Sequence, residues 1–329
     1  SKNVSTEIFL NNIWARNKYF DESKPTIFLN SHHDTVKPNK GYTLDPFSPI
    51  EKENKLFGLG SNDAGGSLVS LVAVFLYFYE SENLKYNLLL AATAEEEISG
   101  KNGVEALLMQ KDFAEALGVS KAPLQGRGAC GIVGEPTQMQ MAVAERGLLV
   151  IDCIAEGKAG HAAREEGENA IYKAMKDIEW FQSYKFLKIS ELLGSNKMTV
   201  TSIETENKQH NVTPPLCSFV VDVRVNELYT FEEVLDTIQQ NVISKVRPRS
   251  TRLRSSSISL DHPLVKAGLS LNRSYYGSPT TSDKALMPFP TLKIGPGDSA
   301  RSHIADEFIY LDEIKEGIEI YIQLLQQIL

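Results

Sequence analysis

The 329-residue chain is 42% hydrophobic and 23% charged, ordinary for a folded soluble protein and long enough for two domains, or one large domain with an insertion. Its 34 Lys and Arg against 42 Asp and Glu give a net charge of −8 with no basic block, which argues against nucleic acid as a partner. Cys130, Cys153 and Cys217 are odd in number, far apart and form no CxxC pair, so buried free thiols in a reducing, cytoplasmic setting are expected rather than a disulfide framework.

No signal peptide opens the sequence, and Ser1 in place of Met suggests that the natural start is trimmed or not shown. Pro25-Thr-Ile-Phe-Leu-Asn30 is the first clear strand candidate, followed at once by Ser31-His-His-Asp34. Leu68 to Tyr79 (LVSLVAVFLYFY) is short of the ~20 residues a bilayer span needs, so it reads as a buried helix opened by Gly65 and Gly66, and no membrane partner is expected. Asn87 to Thr93 is the next strand and ends on Glu95-Glu-Glu97; Ala129 to Gly134 is another and ends at Glu135. Thr291 to Ile294 leads into Gly295-Pro-Gly297 and then His303. Strands alternating with helices predict an α/β fold with a mixed, mainly parallel sheet flanked by helices.

The middle of the chain has a different rhythm. Strands are predicted at Leu148 to Glu156, Lys197 to Glu204 and Ser218 to Val225, with helices at Asn169 to Tyr184 and Phe231 to Ile243. A last edge strand is expected within Val246 to Leu253. That βαββαβ order matches a ferredoxin-like module. Residues 147–254 are therefore expected to be inserted between two parts of one domain, residues 1–146 and 255–329.

Chemistry-bearing residues fall at strand ends: His32, the glutamate triplet and Glu135 directly, His303 after a Gly-rich loop. In open α/β sheets ligands bind beyond the carboxyl ends of the strands. Two histidines and two glutamates delivered to one rim would form a metal site of nitrogen and oxygen ligands. Asp63, in Gly58-Leu-Gly-Ser-Asn-Asp-Ala-Gly-Gly66, either faces that rim or caps the helix after it.

Six segments stand in order: Ser31-His-His-Asp-Thr-Val36, Gly60-Ser-Asn-Asp-Ala-Gly-Gly66, Thr93-Ala-Glu-Glu-Glu97, Val133-Gly-Glu-Pro-Thr137, Gly157-Lys-Ala-Gly-His161 and Gly295-Pro-Gly-Asp298 with His303. Together they resemble the motifs of the co-catalytic zinc metallopeptidase family that contains acetylornithine deacetylase, succinyl-diaminopimelate desuccinylase and carboxypeptidase G. The resemblance implies a zinc-exopeptidase-like catalytic domain with a dimerising insertion, and a site for two Zn2+, with Co2+ or Mn2+ as alternatives. It implies that His32 and Glu135 hold one ion, Glu97 and His303 the other, and Asp63 bridges them. Asp34 would orient His32, and Glu96 would be the general base toward a water held between the ions. His161 would reach the partner subunit's site in a homodimer, while Asn211 and Arg224 would contact substrate, Arg224 as a carboxylate clamp or else as the cross-strand partner of an acid. His33 has no motif role and is expected to be structural or merely polar.

The sequence departs from the family pattern in three places: an extra residue before Pro38, Ala64 where a larger side chain is usual, and a shortened, proline-free run after His161. These bear on substrate preference and leave each implied ligand in place. The expected activity is hydrolysis of an N-acyl amino acid of the acetylornithine type, in arginine or lysine biosynthesis. A desuccinylase, an acetyl-lysine deacetylase or a dipeptidase is the alternative within the family. A metal-binding scaffold without activity is the alternative outside it, disfavoured by the intact Glu96.

Overall fold

The computed structural model describes residues 3–119, 128–164 and 166–329. The chain divides into two compact units, the first formed by Ser1–Val143, Ser257–Tyr276 and Ser282–Leu329, the second by Ala144–Ser256 and Gly277–Thr281.

In the first unit the strands Asn87–Thr93, Thr26–His32, Ala129–Val133 and Thr291–Lys293 lie side by side and parallel. The hairpin Thr6–Phe9/Asn12–Arg16 adds antiparallel strands at one side, and Met141–Glu145 runs antiparallel beyond Thr291–Lys293. Every residue of Thr26–His32 is buried, as a parallel strand covered on both faces requires. Against one face, Phe28, Leu89 and Ala91 pack with Leu107, Phe113 and Leu117 from the helices Val104–Met109 and Lys111–Leu117. Phe113 meets Trp14 and Phe28 edge-on, with ring centroids 5.3 and 5.2 Å away.

The apolar helix Gly66–Phe78 packs on Thr26–His32 and on the helix Leu311–Gln326. The distorted turn Ser61–Gly65 precedes it, and turn and helix together span 18 residues, half of them buried. Gly134 permits the close approach of this helix to the sheet: a Cβ there would lie 2.9 Å from Leu71 Cδ1 and 3.0 Å from Ser67 Cβ.

The second unit is a four-stranded antiparallel sheet in the order Lys197–Glu204, Leu216–Val225, Gly147–Glu156, Lys245–Pro248. Two helices, Ala170–Ser183 and Phe231–Asn241, accompany it. Numbered along the chain, the sheet order is 2-3-1-4, the ferredoxin-like arrangement. Alternation puts Leu149, Ile151, Cys153 and Ala155 in one core with Phe219, Val221, Val223 and Val225. Thr230 and Glu233 form a reciprocal capping box that starts the second helix. The last strand is earlier and shorter than expected, Lys245–Pro248, although beyond it Arg249 N–H still donates to the Val150 carbonyl and Leu148 N–H to the Leu253 carbonyl, both at 2.9 Å. All three cysteines are free and buried.

Trp14 reports on the first unit and Trp180, the other tryptophan of the chain, on the second. Phe113→Ala is expected to destabilise the Trp14-reported transition by about 3–5 kcal/mol in urea, the cost of an emptied aromatic site. Leu187→Ala, at a side chain 90% exposed in the second unit, should shift the Trp180-reported transition by less than about 0.5 kcal/mol.

Candidate metal centre

The parallel strands of the first unit deliver their carboxyl ends to one rim, and each brings a polar side chain. His32 is the last residue of its strand, the glutamate triplet follows Thr93, and Glu135 follows Val133 by two residues. His303 comes after a short turn, Ser299–Arg301, that leaves Thr291–Lys293 by way of Gly297. Asp63 resolves the alternative left by the sequence. The helix starts at Gly66 and its cap position is Gly65, two residues past Asp63, so Asp63 is not the helix cap.

His32, Asp63 and Glu135 form one group able to hold a cation, and Asp63, Glu97 and His303 a second, with the ligand atoms of each group within 4.8 Å of one another. Asp63 belongs to both: its Oδ1 is 3.2 Å from His32 Nε2, and its Oδ2 is 3.6 Å from His303 Nε2. Glu135 Oε1 lies 3.9 Å from His32 Nε2, and Glu97 Oε2 lies 3.0 Å from His303 Nε2. One imidazole nitrogen with carboxylate oxygens in each group is a donor set suited to Zn2+, and also to Co2+ or Mn2+.

The model of peptidase family M20/M25/M40 matches residues 28–327. The chain belongs to that family. Among curated relatives, succinyl-diaminopimelate desuccinylase 2 of Ruegeria sp. is 25% identical over 70% of this chain, and the match spans only 56% of the relative's length. Acetylornithine deacetylase of Buchnera aphidicola is 26% identical, with 94% of this chain and 83% of the relative covered. Among solved structures, an M20 metallo-carboxypeptidase from Sulfolobus solfataricus superimposes with a TM-score of 0.72 at 16% identity, over 99% of this chain and 89% of the other. A dinuclear metal-binding M20 peptidase from Bacillus subtilis gives 0.67 at 13% identity, over 98% and 87%. The mixed sheet with its flanking helices is thus the M20 fold.

In this M20 chain the rim gathers negative charge around one buried imidazole. Burial alone would strip the proton from His32, but Asp34, Asp63, Glu135 and Glu96 outweigh it and raise its pKa. Burial works against the Asp34 and Asp63 carboxylates too, and there their bonds to His32 win and lower both values. Glu96 goes the other way: burial, then the charge of Glu135, push its pKa well above the ordinary carboxyl range. Burial and the Asp63 charge likewise raise Glu97.

Asp34 meets His32 with two of its oxygens. The nearest acceptor for His32 Nδ1 is the Asp34 backbone carbonyl at 3.0 Å, with carboxylate Oδ1 at 3.5 Å. The carboxylate is engaged by the amides of Glu96 and Glu97, which donate to it at 3.2 Å each. Glu95 turns away at φ +61° and accepts from the Asn102 backbone and side chain at 3.0 and 2.9 Å. His33 Nε2 lies 2.9 Å from the Asn11 carbonyl, a structural contact.

The remaining expected site residues lie in the second unit. His161 and Asn211 are close together there: the two-stranded pairing Gly160–His161/Val212–Thr213 is extended by Ala162 N–H donating to the Asn211 carbonyl at 2.9 Å. Arg224 forks onto Asp222 at 2.8 and 3.0 Å. Its acid partner is therefore two residues away on its own strand rather than across the sheet, because period-two alternation puts both on one face.

Sequence reasoning gave no role to two buried groups of the first unit. Asp283, 5% exposed, accepts from Asn30 Nδ2 and Thr93 Oγ1 at 2.9 Å each, linking the His32 strand to the strand that carries the triplet. Glu307, 1% exposed, holds the Asp63 loop. Neither Asp283 nor Glu307 lies in any of the six segments that carry the family resemblance.

A histidine must be deprotonated at the nitrogen that binds metal, and the acidic surroundings favour the proton on His32. Zn2+ binding to the metal-free protein near neutral pH is therefore expected to release protons and to weaken as pH falls. Calorimetric titration in buffers of different ionisation enthalpy measures the release directly; affinity that is level from pH 8 to pH 5.5 would contradict it.

Proposed function

We propose that the chain hydrolyses the amide bond of an N-acyl amino acid, with two Zn2+ ions as cofactors, releasing a carboxylate and the free amino acid. The observation that carries this reading is the pair of ligand groups sharing Asp63, with the enclosed carboxyl of Glu96 beside Glu135 and His32. When bound, such a pair of ions supplies Lewis acidity toward the acyl carbonyl and acidifies water.

The chain's own residues do the rest. Glu96, as the carboxylate, takes the proton from water as the carbonyl is attacked and returns it to the amine nitrogen as the C–N bond breaks. Asp34 fixes the backbone of Glu96 and Glu97 through their amides, and so aims the base and its neighbouring ligand together. His161 and Asn211 serve substrate from the second unit, with His161 acting across a homodimer. Arg224 serves as a carboxylate clamp only where a substrate carboxylate replaces Asp222 in its fork.

Acetylated substrates of the ornithine type are the first choice, in keeping with the Buchnera relative named acetylornithine deacetylase. N-succinyl substrates are the second, in keeping with the Ruegeria relative named succinyl-diaminopimelate desuccinylase 2. A panel of N-acetyl and N-succinyl derivatives of ornithine, citrulline, lysine and diaminopimelate, assayed with and without chelator, decides between them. Chelator-resistant turnover, or no turnover of any member, would sink the proposal.

Glu96→Gln should lower kcat by roughly 10²–10⁴-fold, the usual contribution of a general acid–base group, while metal content stays at two ions per chain. A variant that turns over at the wild-type rate removes Glu96 from the mechanism. For His161, mixing inactive His161→Ala with inactive Glu96→Gln subunits should restore part of the activity if sites are shared between protomers. Verified heterodimers with no recovered activity would place His161 outside the partner's site.

A further inference from the structure

The loop Gly60–Asp63 is irregular: Gly60 is left-handed (φ +75°) and Asp63 extended. Such a loop leaves amides without the carbonyl partners a helix would supply. Glu307 meets that need from a distant part of the chain. Its Oε2 accepts from Gly60 N–H at 3.1 Å, and its Oε1 accepts from Asn62 and Asp63 N–H at 3.0 and 2.9 Å. A carboxylate this enclosed is costly unless several donors converge on it. Here three backbone amides do so, one of them belonging to Asp63.

Asn62, 0% exposed, completes the connection in the opposite direction. Its Oδ1 accepts from Asp298 N–H at 3.0 Å, and its Nδ2 donates to the Asp298 carbonyl at 3.0 Å and to Ser302 Oγ at 3.3 Å. These residues flank the turn Ser299–Arg301 that delivers His303, whose own φ of +63° is uncommon for a non-glycine residue. Close fit is enforced at Gly297 (φ +90°), where a Cβ would come within 2.6 Å of Asn62 Oδ1. The loop carrying Asp63 and the segment carrying His303 are thus interlocked, each holding the other.

The other ligand group has different supports. His32 is fixed by the strand ladder and Glu135 sits just past the next strand, whereas His303 stands on a turn. We infer that Glu307 and Asn62 form a positioning pair: Glu307 holds the loop of Asp63, which both ligand groups share, and Asn62 holds the turn of His303, which only one of them uses. The inference rests on the reading of these residues as metal ligands, though not on any particular substrate.

Competitive titration of metal-free protein with Zn2+ against a chromophoric chelator tests it, alongside circular dichroism of each metal-free variant. Wild type should bind two ions. Glu307→Gln keeps a carbonyl for the Asn62 and Asp63 amides but turns its NH2 toward the Gly60 N–H, so donor faces donor. Both ions should then bind about 10–100-fold more weakly, the usual effect of losing a group that orients a ligand, because Asp63 belongs to both groups. Asn62→Ala, which removes the side-chain bonds to the His303 turn, should weaken one ion by a similar factor and leave the other within about threefold of wild type.

Two wild-type affinities in either folded variant, or equal weakening of both ions in Asn62→Ala, would overturn the assignment. Failure of both variants to fold would do the same by making the pair a folding element. A wild-type chain that binds two ions and hydrolyses no N-acyl amino acid would refute the deacylase reading alone; one that binds fewer than two would refute both.

Discussion

Charge compensation at the sheet rim is the constraint on which the rest of the first unit depends. Asp34, Asp63, Glu96, Glu97, Glu135 and Asp283 gather there around His32, the one buried imidazole among them. Like charges at this spacing in a poorly solvated place are strongly unfavourable. The chain relieves part of the cost with protons and backbone amides: His32 is pushed toward its protonated form and Glu96 toward its neutral form. Asp34 leans on two amides and Glu307 on three. What these devices leave uncompensated is the charge that a pair of divalent cations would neutralise.

The parallel sheet is what makes such crowding possible. A strand buried on both faces cannot place ionisable side chains along its length, so polar residues collect where it ends. Adjacent parallel strands end on the same side. Thr26–His32, Asn87–Thr93 and Ala129–Val133 are neighbours in register, which brings side chains from distant stretches of sequence to one rim.

Much of this was legible in the sequence because the signals were local. Asn87–Thr93 and Lys197–Glu204 carry their strand patterns in full, and the helix Gly66–Phe78 begins at its glycines. Ligand candidates were legible for a related reason: an ionisable residue directly after an apolar run is a pattern in one dimension. Non-local facts were not. Glu307 reaches 244 residues back to the Asp63 amide, and Asp283 reaches 190 back to Thr93. No spacing rule announces a carboxylate whose partners are backbone amides of a remote loop. The choice at Asp63 between cap and rim depended on which residue takes the helix's cap position, and that of Arg224 on which acid shares its face.

Asp34 has a further consequence. One residue holds the His32 ring through its carbonyl and the Glu96–Glu97 backbone through its carboxylate. Any movement of the imidazole is passed, through a single side chain, to the amides that aim the neighbouring glutamates. Occupying the rim and aligning Glu96 and Glu97 would for this reason be one mechanical event: a loop pulled out of line at one end cannot stay in line at the other.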